Sequence, residues 1–452
     1  MCCPTRTGGK APWAFVGFAR INEGDVNRLF TTACAVALLY ATAWGKTDDW
    51  NGSLSGLWGD SSNWTKGVPT GADPVRFNNS ITSNTSITLL PSSQTGSLSF
   101  VSNGGANPFT FDTAATLNSN TLTVSGGITN SDAGSLTFYN TTILSGSQSW
   151  NNSGGAMTFN GNVNLGSGSS GGTLTVTGVG NVSLNGAVAN GGSAAGNLTM
   201  AGTGTMTLSD ANTYTGATTI SSGTVQTNAS GALHSGNALS IAAGSTLNLN
   251  GTSQSVGAFT SSGALNLGSS GAFTLLGSAS LAGTLSGTGT LTLDAGSTLT
   301  LGANFSDSGI NIVLNGGTLK LNGTSDTFGS LSITSSSIVD FGTTGTSILD
   351  VNGVSLAGGA TLSVQNWANL VDYFYSNTTT GTQGTAPENQ IAFTGYSGNA
   401  TRWNSYTNGP NNEHQVSPVP ESAVYGCVVT ALSLAGIVAI RARKMKHLAA
   451  VT

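Results

Sequence analysis

The chain has few charged residues, and its long central region has almost no positive charge. Between residues 44 and 414 there are fifteen acidic residues but only five basic ones, which are Lys46, Lys66, Arg76, Lys320 and Arg402. No basic residue lies between Arg76 and Lys320. Because proteins hold nucleic acid phosphates through clustered Lys and Arg side chains, this scarcity excludes nucleic acid as a partner.

Cysteine is absent from the same region. The chain has four cysteines, and Cys2, Cys3, Cys34 and Cys427 all lie outside residues 44–414. An internal disulfide and a zinc–thiolate site are therefore both excluded for this region. We expect it to bind no metal and no cofactor.

Side chains for catalysis are sparse too. The only histidines between residues 44 and 414 are His234 and His414. Residues 166–171 match the GxGxxG dinucleotide pattern, and residues 168–172 match the GxSxG nucleophile pattern. With 65 glycines among 452 residues such matches arise by chance, and no helical pattern follows them. We therefore predict no catalytic residues and no enzymatic activity.

The chain does contain one short sequence pattern that is repeated many times. Apolar residues alternate with Thr, Ser or Asn over about four positions, and Gly, Asn or Ser bounds each segment. This alternation predicts short β-strands with one buried face. The clearest segments are residues 121–124, 135–138, 173–176, 197–200, 205–208, 246–249, 264–267, 290–293, 298–301, 318–321 and 361–364.

These strands predict an all-β fold, a parallel β-solenoid over residues 95–365. No segment between them has helical periodicity, so the apolar faces must be buried by stacking coil upon coil. At roughly 20 residues per coil, the region makes about 13 coils, and a spacing of about 4.8 Å gives a rod about 60 Å long. Leu247, Leu265 and Leu299 are expected to point into the core.

Aromatic residues collect on both sides of the solenoid and predict aromatic caps. Residues 44–94 form the expected N-terminal cap and first coils, and residues 366–415 form the C-terminal cap and linker. Large rings can seal the ends of a narrow core, although exposed rings that stack on sugars are an alternative. The residues concerned are Trp50, Trp58, Trp64, Phe77, Trp367, Tyr373, Phe374, Tyr375, Phe393, Tyr396 and Trp403.

The N-terminal residues 1–43 predict a leader with a signal peptide. Arg28 precedes an apolar stretch from residue 29 to 40. Ala41 and Ala43 then supply the small side chains that signal peptidase accepts before its cleavage point.

Residues 416–447 predict a membrane anchor. Residues 423–440 carry no formal charge, and eighteen helical residues span about 27 Å, enough to cross the hydrocarbon of a bilayer. The cations that follow should keep that end in the cytoplasm by the positive-inside rule. They are Arg441, Arg443, Lys444 and Lys446.

Two segments resemble known families. Residues 204–233 contain Asn212-Thr-Tyr-Thr-Gly216 followed by Thr-Thr-Ile, and resemble the autotransporter-associated β-strand repeat. The C-terminal segment is similar to the PEP-CTERM sorting signal, with Ser422 where that motif has a second proline. This resemblance implies processing by an exosortase at Val419, Pro420, Glu421 and Ser422, in bacteria that make exopolysaccharide.

Together these features predict an exported, non-enzymatic structural or adhesive protein of the cell surface or extracellular matrix. We expect signal peptidase and exosortase as processing enzymes, the inner membrane as the first anchor and exopolysaccharide as a further partner. Two alternatives stay open. One is an autotransporter-like adhesin passenger, and the other is a β-helix protein that binds or degrades polysaccharide, which as an enzyme needs paired carboxylates in a groove.

Overall fold

The computed structural model describes residues 47–418 except 79–80, 82, 103–105, 378–386, 397–400 and 408–413. For residues 402–407 only the backbone is described. Three single-turn 3₁₀ helices, Ser61–Asn63, Ala114–Thr116 and Glu388–Gln390, are the only helices in these ranges. Everything else is strand, turn or extended chain.

The strands stack in parallel sheets that run along the molecule. The first sheet, called here the long sheet, has 16 strands, and each pairs in parallel with the strands of the preceding and following coils. Its strands are Asp48–Trp50, Val75–Asn78, Leu98–Val101, Ile128–Asn130, Gln148–Asn152, Thr173–Thr177, Asn197–Met200, Thr218–Ile220, Leu239–Ile241, Phe259–Ser261, Ser278–Leu281, Thr298–Leu301, Thr318–Lys320, Ser337–Asp340, Leu362–Gln365 and Ile391–Phe393.

A second sheet follows the long sheet around each coil. Its longer strands, such as Ala264–Leu275, continue through a glycine corner onto the third side of the coil. The members are Ser86–Ile87, Phe109–Phe111, Leu136–Phe138, Met157–Phe159, Val182–Leu184, Thr205–Leu208, Thr224–Thr227, Thr246–Asn248, Ser253–Val256, Ala264–Leu275, Thr284–Asp294, Ser306–Asp307, Ile310–Asn315, Ser325–Ser335, Ile348–Leu356, Tyr373–Ser376, Thr401–Thr407 and His414–Pro418.

The third side begins as a separate sheet of five strands in the N-terminal coils. A small antiparallel hairpin, Gly166–Ser167 with Ser170–Gly171, projects between its last two strands. The five strands are Ser92–Thr95, Thr121–Val124, Thr141–Leu144, Val163–Asn164 and Val188–Ala189.

The register of the long sheet confirms the predicted solenoid. Consecutive partners in neighbouring strands are Leu239, Phe259, Ala279, Leu299 and Leu319, so a coil there takes about 20 residues. Thirteen of the 16 strands of this sheet begin between residues 95 and 365. The fold is therefore a parallel β-solenoid, as the sequence predicted.

Alternation along each strand builds the core. In Asn197–Met200 and Thr205–Leu208, for example, every second residue is buried. Leu247, Leu265 and Leu299 are all buried, and every predicted segment overlaps a strand over at least three residues. Burial of one Leu stabilises a coil by about 1.5–3 kcal/mol, so stability accumulates along the stack rather than within a coil.

Aromatic side chains are buried at both ends, as predicted, but also along the core between them. Trp50, Trp58 and Trp64 pack edge to face at 4.8 and 4.7 Å between ring centroids. Phe111, Phe138 and Phe159, on three successive coils, stack at 4.6 and 4.5 Å. The sequence analysis assigned aromatics only to the caps, and this internal stack is a finding of the structure.

An antiparallel segment covers the long sheet at the N-terminal end and the second sheet at the C-terminal end. At the N-terminal end, the N–H of Thr65 donates to the carbonyl of Asp49, and the N–H of Asn51 donates to the carbonyl of Asn63. At the C-terminal end, His414–Pro418 pairs antiparallel with Tyr373–Ser376. Because exposed strand edges recruit other chains, this coverage limits end-to-end association.

Glycine permits the tight corners between the sheets. Gly263 and Gly283 occupy the same corner on successive coils, and a Cβ atom on Gly283 would overlap the carbonyl oxygen of Gly263. The backbone of one coil therefore rests directly on the backbone of the previous coil. A large glycine content follows from this packing rather than from flexibility.

We predict that Gly283→Ala lowers the free energy of unfolding by about 1–3 kcal/mol, because the added methyl group must displace the neighbouring coil. Gly358→Ala is the control, since a Cβ atom there meets nothing within 4 Å. Thermal unfolding followed by circular dichroism measures both. Equal melting temperatures for the two variants would contradict the corner packing.

Candidate functional site

The motif that the sequence singled out, Asn212 to Gly216, lies within one coil of the solenoid. This coil runs from Asn197–Met200 in the long sheet through Thr205–Leu208 in the second sheet and returns to the long sheet at Thr218–Ile220. Residues 209–217 form the extended third side between them. The motif therefore lies on a side of the coil that forms no β-strand, so strand pairing does not hold this segment to the neighbouring coils.

Asn212 replaces the missing strand pairing with its side chain. Its Oδ1 accepts the N–H of Val188 from the preceding coil at 2.7 Å, and its Nδ2 donates to the carbonyl of Ala232 in the following coil at 2.6 Å. The side chain is almost completely buried. Asn212 is thus a coil pin, a buried side chain that hydrogen-bonds the backbone of a neighbouring coil.

Tyr214 fills the core beneath this pin. Its hydroxyl lies 2.6 Å from Oγ1 of Thr218, and its carbonyl accepts from Nδ2 of Asn237 at 2.7 Å. Burial raises the pKa of the Tyr214 phenol to about 12, although the Thr218 hydrogen bond lowers it slightly. The phenol therefore stays neutral, and its role is packing rather than acid–base chemistry.

Gly216 closes the motif at a crowded corner. A Cβ atom there would overlap the carbonyl oxygen of Gly196 and Oδ1 of Asn197 in the preceding coil. The same Oδ1 accepts the N–H of Ala217 at 2.9 Å. Asn212, Tyr214 and Gly216 of the motif thus each contact a neighbouring coil.

Coil pins recur along the solenoid but not at one register position, since Gln254 lies on the third side and Asp326 on the second sheet. Each has a buried Asn, Gln or Asp that accepts an N–H from the preceding coil, and three of the four are followed two residues later by a buried Val or Phe. The sequence analysis missed them, although this spacing would have found most. The four side chains are Asp112, which accepts the N–H of Leu89, Gln254, which accepts that of Leu233, Asp326, which accepts that of Phe305, and Asp372, which accepts that of Ser347.

The outward face of the long sheet carries an uncharged column of hydroxyl groups. The paired strands place one Ser or Thr in register on eight successive coils, at about 4.8 Å per step. Beyond this column the next two positions are Lys320 and Asp340, which form an ion pair at 3.6 Å. The column is Ser149, Thr175, Thr199, Thr219, Ser240, Thr260, Ser280 and Thr300.

A groove lies along the corner between the long sheet and the second sheet. It crosses four coils and has a volume of about 540 Å³, within the range of ligand sites. A smaller depression of about 130 Å³ lies on the long sheet around Ala238 and Ser240. No charged side chain lines either of them. The groove is lined by Gly244, Ser245, Thr246, Ser262, Gly263, Ala264, Ala282, Gly283, Thr284, Ala303 and Asn304.

Acidic and imidazole side chains are dispersed. Asp326 and Asp350 are one register step apart on adjacent coils, and both side chains are buried rather than exposed in a groove. His234 places Nδ1 3.0 Å from the carbonyl oxygen of Asn212, and Gly166–Ser167 belongs to a hairpin without a following helix. In the part of the chain that the structure describes, no three His, Cys, Asp or Glu side chains could share a metal ion.

The residues predicted for sorting lie outside the described part of the chain. These are Ala41 and Ala43, the segment Val419 to Ser422 and the cations Arg441, Arg443, Lys444 and Lys446. Among the described residues, no helix has the length and apolar character needed to span a membrane. Signal cleavage, anchoring and sorting therefore stay predictions.

Comparison with protein families supports the repeat. Residues 198–226 match the passenger-associated transport repeat, a repeat of autotransporter passengers. The match begins at Leu198 in the long sheet and ends at Gln226 in the second sheet of the next coil, so it contains the Asn212 pin. Comparisons with curated proteins and with solved structures gave no match.

Loss of the pin tests this account of the motif. We predict that Asn212→Ala lowers the free energy of unfolding by about 2–4 kcal/mol, because two buried backbone groups lose their partners at about 1–3 kcal/mol each. Asn185→Ala is the control, since Asn185 is exposed and its side chain bonds the half-buried side chain of Asn160 rather than the backbone. Urea denaturation measures both. A loss of similar size in the control would contradict the assignment.

Proposed function

We propose that this protein is an exported solenoid of the autotransporter-passenger type that works as a structural or adhesive rod at the cell surface. The observation that carries the proposal is the passenger repeat at residues 198–226, which forms a coil continuous with the rest of the solenoid. Capped ends and the absence of disulfides fit a single stable rod, since stability comes from stacked coils.

A non-enzymatic role is part of the proposal. Neither concave surface is lined by a carboxylate, a histidine or a cation. Three of the buried acids, Asp112, Asp326 and Asp372, serve as coil pins. Polysaccharide lyases and glycosidases need such groups beside the scissile bond, so the described surfaces favour binding over cleavage.

The route to the surface is proposed from the two ends of the sequence. Signal peptidase would cut after Ala43, and the helix at residues 423–440 would hold the chain in the inner membrane. An exosortase would then recognise Val419 to Ser422 and release the rod to the surface or matrix. The similarity of this segment to the PEP-CTERM signal supports this step.

Neutral polysaccharide is the partner that the surfaces favour. The hydroxyl column and the groove present Ser, Thr and Asn groups without any charge. Hydroxyl and amide groups pair well with sugar hydroxyls, and the absence of cations gives an acidic polymer no electrostatic attraction. The groove crosses successive coils, as an extended sugar chain requires.

Cell fractionation tests export and processing. We predict that the full chain reaches the cell surface or medium, and that the mass of its mature C-terminus lacks Arg441 to Lys446. Replacing residues 419–422 by alanine should leave the chain in the membrane fraction. A mature surface form that keeps the basic residues would contradict processing, and retention in the cytoplasm would contradict export.

Co-sedimentation tests the polysaccharide partner. We expect the protein to sediment with cellulose, a neutral polymer, and to stay in solution with the anionic polymer alginate. Thr284→Trp fills the groove and should weaken sedimentation, whereas Ser286→Trp is exposed on the same strand outside the groove and should not. Equal loss in both variants, or a preference for alginate, would overturn this part of the proposal.

A further inference from the structure

Asp326 is a coil pin, but its carboxyl group lacks the hydrogen-bond donors that an ionised carboxylate needs. It lies in Ser325–Ser335 and is 1% exposed. Its Oδ1 accepts the N–H of Phe305 from the preceding coil at 3.0 Å. Its Oδ2 meets only a hydroxyl group, Oγ1 of Thr324, at 2.6 Å.

The short contacts around Thr324 require one more hydrogen than its hydroxyl group carries. Oγ1 of Thr324 also lies 2.7 Å from the carbonyl oxygen of Leu321, so three oxygen atoms form a chain with two short contacts. Two contacts need two hydrogens, and the Thr324 hydroxyl supplies one. The second must be the carboxyl hydrogen of Asp326. A protonated Asp326 donates to Thr324, which donates to Leu321, and every group in the chain is satisfied.

Other pins do not share this shortage. Asp372 accepts two backbone N–H groups, from Ser347 at 2.9 Å and Ala368 at 2.8 Å, one at each oxygen. Asp112 accepts the N–H of Leu89 and the side-chain amide of Asn120. These carboxylates have hydrogen-bond donors for their ionised form. Asp326 has one backbone N–H donor, and the hydroxyl of Thr324 beside it also contacts the carbonyl of Leu321.

The surroundings of Asp326 offer no compensating positive charge. The titratable groups on the strands packed against it are Asp307 on the preceding coil and Asp350 on the following coil. Lys320, the nearest cation in the described sequence, pairs with Asp340 on the long sheet. Burial raises the pKa of Asp326 from 3.8 to about 6, and the hydrogen bonds from Thr324 and Phe305 lower it by less.

We propose that Asp326 is an acid-stabilised pin, which holds the coils around residues 301–335 together when it is protonated and weakens them when it ionises. Below the pKa of the unfolded chain, Asp326 is protonated in both states and its full stabilisation is present. As pH rises toward 6, the unfolded chain gives up the proton more readily, so stability falls. Above that range the loss is complete. This behaviour follows from the fold and does not depend on the proposed surface function.

The test compares the full-length protein with two amide variants. Asp326→Asn mimics the protonated acid, because its Oδ1 can accept from Phe305 and its amide can donate to Thr324. Asp372→Asn places an amide N–H against a backbone N–H and removes the same negative charge. Hydrogen exchange of peptides covering residues 301–335, corrected for intrinsic rates, reports local opening between pH 4 and 7.5.

We expect the opening constant of the wild type, relative to Asp326→Asn, to rise up to roughly hundredfold between pH 4 and 7.5, as a shift of about two pKa units requires. Peptides covering residues 197–227, whose pin is an amide, should show no such difference. Asp372→Asn should open its own coils more readily at every pH.

Three results would overturn the proposal. The ratio between wild type and Asp326→Asn could be independent of pH. Asp326→Asn could open more readily than wild type at pH 7.5. Alternatively, Asp372→Asn could protect its coils as strongly as Asp326→Asn does, which would assign the effect to a lower net negative charge rather than to the pin.

Discussion

Each strand of this protein finds its backbone hydrogen-bond partners in the coil before it and the coil after it, and that requirement governs the rest of the structure. A buried N–H or C=O without a partner costs about 1–3 kcal/mol, so the coils must stack in register wherever strands face each other. In the long sheet a step of about 20 residues keeps Leu239, Phe259 and Ala279 aligned. Where a coil lacks a strand, a buried side chain such as Asn212 takes over the pairing.

The same requirement explains the unusual composition. Corners in which backbone packs on backbone accept only glycine at positions such as Gly283, whose missing side chain leaves room for the carbonyl of Gly263. Outward positions sit about 4.8 Å from their equivalents on the next coil, so a charged residue repeated there would repel its own copy. Ser and Thr avoid that repulsion. Low charge and high glycine content are therefore two consequences of one stacking pattern.

Function follows from the surface that this pattern leaves exposed. The eight-coil hydroxyl column and the groove around Ser262 and Thr284 are neutral and extended along the axis. Such surfaces suit long neutral polymers better than small charged substrates. Asp112, Asp326 and Asp372 serve the backbone as coil pins, and in our proposal Asp326 adds a dependence on the acidity of the surroundings.

The sequence by itself determined the strands, the inward positions of Leu247, Leu265 and Leu299 and the repeat at residues 198–226, because period-two alternation is a local property of the chain. It also indicated the position of the motif from Asn212 to Gly216, but not what the motif does. Only the tertiary structure decided which buried side chains are coil pins, namely Asn212, Gln254, Asp326 and Asp372. It also decided that Phe111, Phe138 and Phe159 stack through the core. The groove that crosses the coils near Gly283 is likewise a feature of the tertiary structure. The reason is physical, since these features join residues about 20 or more positions apart. The partners of these residues are set by the register in which each coil stacks on its neighbour, rather than by the residues next to them in the chain.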